Sequence, residues 1–106
     1  MFFGKTYYVY VMASAPHGVL YVGMSSDLVE RARQHRERLL DGFSKRYWVN
    51  RLVYFEAHDD AAVAAQRERT IKRWRRAWKI ELIETSNPTW KDLWLEIVAA
   101  GGYDPA

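Results

Sequence analysis

Glu68 is the carboxylate whose position asks for a chemical explanation. In a helix over residues 61–74 it shares one face with Ala61, Ala64, Ala65 and Ile71. Holding a glutamate among small apolar side chains is costly unless it is paired or binds a cation. An ion pair with one of the nearby arginines and ligation of a hard cation both meet that condition. Arg31 and His35 are one helical turn apart and share a second face. His35 lies on the apolar stripe of that helix, where a satisfied core histidine is the plainer reading. One turn from an arginine, it can also position a phosphate or relay a proton. Tyr8 and Tyr10 share a face of the first strand, and Tyr21 on the next strand can join them. Taken singly, each tyrosine reads as a packing residue with a hydrogen-bonded tip.

Other catalytic templates are missing from the sequence. It has no cysteine, which excludes thiol catalysis, a disulfide framework and a Cys-ligated zinc site, and suits a reducing cytosol. His17, His35 and His58 are too widely spaced for a helical His-x-x-x-His zinc pair. Neither a glycine-rich phosphate loop nor a nucleophile elbow occurs.

The elements that must carry these residues follow from composition. Residues 7–11 and 19–23 are aromatic and β-branched, hence strands, and the turn cluster over residues 14–18 between them makes a hairpin. Ser26 or Asp27 caps a helix over residues 27–40 that Asp41 and Gly42 stop. Residues 43–48 read as a loop with basic and aromatic tips, and residues 51–56 as a third strand. Asp59 and Asp60 cap the helix carrying Glu68, which breaks at residues 75–77 and resumes over 78–84. After Asn87 and Pro88 a last helix begins near Thr89, with Trp90, Leu93, Trp94 and Ile97 on one face. The expectation is a single α/β (α+β) domain over residues 1–106. Its order is β-β-α-β-α-α-α, with a three-stranded antiparallel sheet packed by helices.

With 106 residues and 49% apolar side chains, the chain has enough material for one core. No signal segment and no membrane-length apolar run is visible, so a soluble, cytoplasmic domain is expected. The net charge of +3 is unevenly distributed. Seven basic residues fall between Arg31 and Arg51, and seven more between Arg67 and Lys79. These blocks, interleaved with Tyr47, Trp48, Trp74 and Trp78, suit a polyanionic partner, although solvated helix faces would look the same.

Taken together, these residues resemble the GIY-YIG nuclease superfamily, in particular its small single-domain members. Tyr8, Val9 and Tyr10 stand where the GIY triplet would be, and Tyr21, Val22 and Gly23 match YIG. Ser26, Asp27 and Leu28 followed by Arg31 and His35 fit the downstream pattern, as do Glu68, residues 73–79 and residues 87–90. Tyr8 replaces the family's first glycine, and Met24 stands where some members have lysine.

The resemblance implies a divalent-metal-dependent endonuclease that hydrolyses phosphodiester bonds in nucleic acid, DNA before RNA, with weak sequence specificity. It implies Glu68 as ligand of one Mg²⁺ or Mn²⁺, and Tyr10 and Tyr21 flanking the attacking water, one of them as general base. Arg31 would lie on the scissile phosphate, with His35 supporting a tyrosine or that phosphate, and Asn87 would be the C-terminal asparagine of the site. Lys45, Arg46, Lys72, Arg73, Arg75 and Arg76 are the expected nucleic-acid contacts. The chain would act as a monomer or weak homodimer, with any added specificity coming from a protein partner. The alternative is a nucleic-acid-binding module of the same fold without turnover. A Trp90 and Trp94 face making a dimer contact is a third reading, set against docking of the last helix into the core.

Overall fold

Both faces of the first strand are apolar, and that places it at the centre of the sheet. The structure, a computed structural model, describes residues 5–40 and 42–101. Its three strands are β1 (Tyr7–Ala13), β2 (Leu20–Ser25) and β3 (Arg51–His58), antiparallel in the order β2-β1-β3. Five helices follow the chain: α1 (Leu28–Arg36), α2 (Phe43–Tyr47), α3 (Ala61–Arg73), α4 (Arg76–Ser86) and α5 (Trp94–Gly101). Val9, Val11 and Ala13 meet Ala64, Ile71, Ile83 and Trp90 on one face of the sheet. Tyr10 and Met12 meet Leu28, Ala32, Val49, Leu52 and Ile97 on the other. A fully buried aliphatic such as Ile71 or Ile83 contributes about 1.5–3 kcal/mol. The expected α+β architecture is therefore present, with two helical layers around one sheet. No helix of the described residues is long and apolar enough to cross a membrane.

Asp27 caps α1 by accepting from Glu30 N at 3.1 Å. Asp60 caps α3, accepting from Ala62 N at 2.8 Å and Val63 N at 3.1 Å. Each strand runs two residues past its expected end, α4 extends two residues beyond the expected 78–84 at both ends, and three further differences change the helices. First, α1 ends at Arg36 instead of residue 40. Arg38 takes a left-handed backbone (φ 57°), Leu39 N bonds Gln34 O at 2.9 Å and Arg38 N bonds His35 O at 3.2 Å. That is a Schellman closure built on arginine, a residue for which the left-handed region costs about 1–2 kcal/mol. Asp41, read as part of the stop, lies outside the described residues.

Second, the expected loop over residues 43–48 contains a short helix, α2. The order thus gains an element and reads β-β-α-α-β-α-α-α. Third, the last helix starts at Trp94, not near Thr89. The Asn87 side chain organises the chain before it: Oδ1 accepts from Lys91 N at 3.0 Å, and Nδ2 donates to Lys91 O at 2.8 Å and Val53 O at 3.0 Å. Trp90 sits in this turn with φ 59° and is buried in the layer of α3 and α4. Leu93, Trp94 and Ile97 pack in the opposite layer. Trp90 and Trp94 therefore share no helical face, which removes the dimer surface they were read to form.

Candidate active site

The hairpin brings two tyrosines together on one face of the sheet. Tyr10 of β1 stands opposite Gly23 of β2, two residues beyond Tyr21. A Cβ at position 23 would lie 2.4 Å from Tyr10 Oη and 2.5 Å from its Cζ. Glycine is required there because the tyrosine ring lies across the position. Thus seated, Tyr10 is fully buried, and its Oη is 3.0 Å from Nε2 of the equally buried His35 of α1. The half-buried Tyr21 ring closes the group, with its centroid 6.4 Å from Tyr10 and 5.0 Å from His35. His35 reaches this position because Asp27 starts α1 directly after β2, which leaves the histidine two turns into the helix.

The electrostatics fix the protonation states. Burial, and secondarily the Arg31 charge, lower the His35 pKa to about 4, so the ring is neutral at pH 7. Burial raises the Tyr10 pKa, and the charges of Tyr21 and Glu68 push it the same way while Arg31 opposes them. At neutral pH the pair is phenol and imidazole, not phenolate and imidazolium.

The same interactions locate the two ionised groups. Arg31 of α1 acts on both Tyr10 and His35, and Glu68 of α3 acts on Tyr10. Among the described residues, Arg31 makes no side-chain hydrogen bond or ion pair. A half-buried guanidinium left without a carboxylate is a ready site for an anion. The Glu68 side chain is 22% exposed, and Lys72 Nζ lies 3.3 Å from its Oε1, one turn along α3. The donor set fits a hard cation: one carboxylate suffices for Mg²⁺ or Mn²⁺ when water and substrate phosphate oxygens supply the other ligands. No group of three or more His, Cys, Asp or Glu among the described residues forms a protein-only cage.

Tyr10, Tyr21, Arg31, His35 and Glu68 are thus brought together from β1, β2, α1 and α3. Asn87 is not among them. It is buried at the end of α4, with both atoms of its amide bonded to backbone of residues 53 and 91. The expected nucleic-acid contacts Lys45, Arg46, Lys72, Arg73, Arg75 and Arg76 are all exposed, but several have intramolecular tasks. Arg76 donates to His17 O at 2.6 Å and Gly18 O at 2.7 Å, latching the β1–β2 turn onto α4. Arg75 lies 4.4 Å over the Trp78 ring and Arg46 5.4 Å over Tyr47. Sequence reasoning missed Phe43, whose ring centroid is 6.2 Å from that of Tyr21. The signal was an aromatic residue inside a basic stretch read as a loop. It also took Gly23 only as a strand end within the YIG triplet, without the ring that lies on it.

No curated protein and no solved structure gives a match to this chain. The model of the GIY-YIG catalytic domain matches residues 6–81 of the 106. That span holds all five clustered residues and stops short of Asn87. The chain belongs to the GIY-YIG catalytic domain family, a family of endonucleases.

Proposed function

We propose that this chain is a divalent-cation-dependent endonuclease that hydrolyses phosphodiester bonds, in DNA before RNA, and acts as a single cytoplasmic domain. One observation carries the reading: a half-buried arginine without a partner, a carboxylate, a second tyrosine and a buried histidine all bear on the buried Tyr10. Nucleases of this family generally depend on a divalent cation. Glu68 would hold Mg²⁺ or Mn²⁺, which would supply Lewis acidity to the phosphodiester. Arg31 binds the scissile phosphate and offsets the charge that builds on it. Tyr10 and Tyr21 flank the attacking water, and His35 fixes the Tyr10 hydroxyl. Phosphate-directed lysines and arginines carry little base information, in keeping with weak sequence specificity.

A phenol whose pKa is raised is a poor base, so Tyr10 in this resting arrangement keeps its proton. Of the charges that act on it, Arg31 favours loss of that proton, while Tyr21 and Glu68 oppose it.

The test is cleavage of plasmid and linear DNA with Mg²⁺ or Mn²⁺, alongside an RNA of the same sequence. Glu68→Gln and Arg31→Ala should each lose about 10³-fold in rate, as removal of a major charge-stabilising group does, while the circular dichroism spectrum stays unchanged. Glu68→Gln turning over like wild type would end the metal-site assignment. Salt-sensitive binding without cleavage under any cation would leave the non-catalytic module as the better description.

A further inference from the structure

The aromatic rings of the site do not stop at Tyr21. Phe43 lies 6.2 Å from Tyr21, and Tyr47 lies 4.7 Å from Phe43, centroid to centroid. The ladder therefore runs from buried Tyr10 through half-buried Tyr21 to two rings on the surface. Phe43 is 46% exposed, Tyr47 41% and the adjoining Trp48 53%. Leaving three large rings in water forfeits burial energy, and a five-residue helix is too short to stand by its own propensity. Its surroundings are cationic. Arg46 lies 5.4 Å over Tyr47 and Arg38 lies 4.6 Å over Trp48. No acidic residue occurs from Phe43 to Tyr47.

We propose that α2 is a nucleobase-stacking site, in which Phe43 and Tyr47 hold one unstacked base of the substrate beside the phosphate at Arg31. The proposal rests on the phosphodiesterase reading of the neighbouring site. Continuity of the ladder with Tyr21 and the cations around it favour a nucleic acid over an apolar protein surface. Every base offers a π-face, so such a site selects an exposed base without selecting its identity. It therefore decides which phosphodiester enters, by asking that the base next to it leave the stack.

The test uses Glu68→Gln protein in EDTA, so that binding is read without cleavage. A set of short single-stranded DNAs carries 2-aminopurine at successive positions, and its fluorescence is quenched on stacking. One position should be quenched on binding. Phe43→Leu and Tyr47→Leu, which keep an apolar side chain for the packing, should remove the quench and weaken binding roughly 5- to 100-fold. An abasic nucleotide at the quenched position should bring wild-type affinity down to that of the leucine variants. Unchanged quench and affinity in both variants would overturn the proposal. So would an equal loss on abasic and intact DNA, since the rings would then act only by shaping the protein. A wild-type dimer that dissociates in Phe43→Leu without any change in the quench would give the patch to a second copy instead. Quenching without cleavage by wild-type protein under any cation fails the nuclease reading alone. Cleavage without quenching fails this one alone.

Discussion

Two clusters in this molecule contain the same residue types, and only one of them is open. On the α3 side of the sheet, Tyr54, Glu56 and His58 project from alternate positions of β3 toward Arg67 of α3. Glu56 accepts from the Tyr54 hydroxyl and from Arg67 at 2.9 and 3.2 Å, and His58 Nε2 lies 2.6 Å from it. Burial alone would raise the Glu56 pKa, but the hydrogen bonds from Arg67, Tyr54 and His58 outweigh it and leave the pKa lowered. Tyr54 is correspondingly pushed up to about 12, first by burial and then by its bond to Glu56. Each polar group has its partner within the cluster. At Tyr10, Tyr21, His35, Arg31 and Glu68 the arginine and the carboxylate do not pair with each other, and the arginine pairs with nothing described. Glu68 meets only Lys72, on its own helix; an arginine left unpaired inside a fold is available to a third party, whereas charge brought together is structure.

The comparison breaks most sharply at Gly23. A methyl group there would occupy the space of the Tyr10 ring and drive its hydroxyl off His35. Gly23→Ala should lower cleavage by 100-fold or more, on the scale of losing an oriented acid–base group, with about 1–3 kcal/mol of stability lost to overpacking. In a Tyr10→Phe background the same substitution should add little to the activity loss, because the group it displaces is already gone. Measured rates of the two singles and the double settle this. Independent, multiplying losses would mean that Gly23 acts elsewhere than through Tyr10.

How much of this was legible in the sequence divides along the same line. Strand composition placed Tyr10 and Tyr21 on neighbouring strands, and helical spacing put Arg31 and His35 on one face. The small residues around Glu68 marked it as a carboxylate needing a reason. These readings depend only on short-range periodicity, which the chain obeys. The closed network was not legible, because nothing in the sequence pairs Glu56 with Arg67 until α3 lies across β3. The misplaced boundaries have local causes that side-chain type does not announce. Arg38 and Trp90 adopt left-handed backbones usually left to glycine or asparagine. Asn87 was read as a site residue, yet its amide is committed to a buried turn. A buried asparagine bonded to backbone and one facing a substrate look alike in a sequence.

Closing the second cluster has a stability consequence that the first should not share. Glu56→Gln keeps the shape but removes the charge that Arg67 and His58 face, leaving a partly buried guanidinium short of its acceptor. The expected cost is about 2–3 kcal/mol, with cleavage per folded molecule within about twofold of wild type, since neither group bears on Tyr10. Urea denaturation and rates normalised to folded protein measure the two halves. A tenfold loss of rate at full stability would show that this network belongs to catalysis after all, and the distinction drawn between the clusters would fall.

The smallest expected effect separates the clusters by pH. His35 has a folded pKa of about 4 against an ordinary value of 6.5. Between those values the unfolded chain takes up a proton that the folded chain refuses. Stability is therefore fully present above about pH 6.5 and falls as pH drops toward 4, by at most about 1.4 kcal/mol per unit. Glu56 contributes in the same direction but later: its pKa is lowered, so its stabilisation is lost only as pH falls below the ordinary carboxylate value of 4.5. A comparison of pH 7 with pH 5 isolates the imidazole. Wild type should lose about 1–2 kcal/mol more over that interval than His35→Gln, in which no group at position 35 titrates. An equal loss in the two proteins would mean that His35 takes its proton at an ordinary pH. The neutral ring beside Tyr10 would then be an imidazolium over part of the working range, and that cluster would carry its positive charge on His35 as well as Arg31.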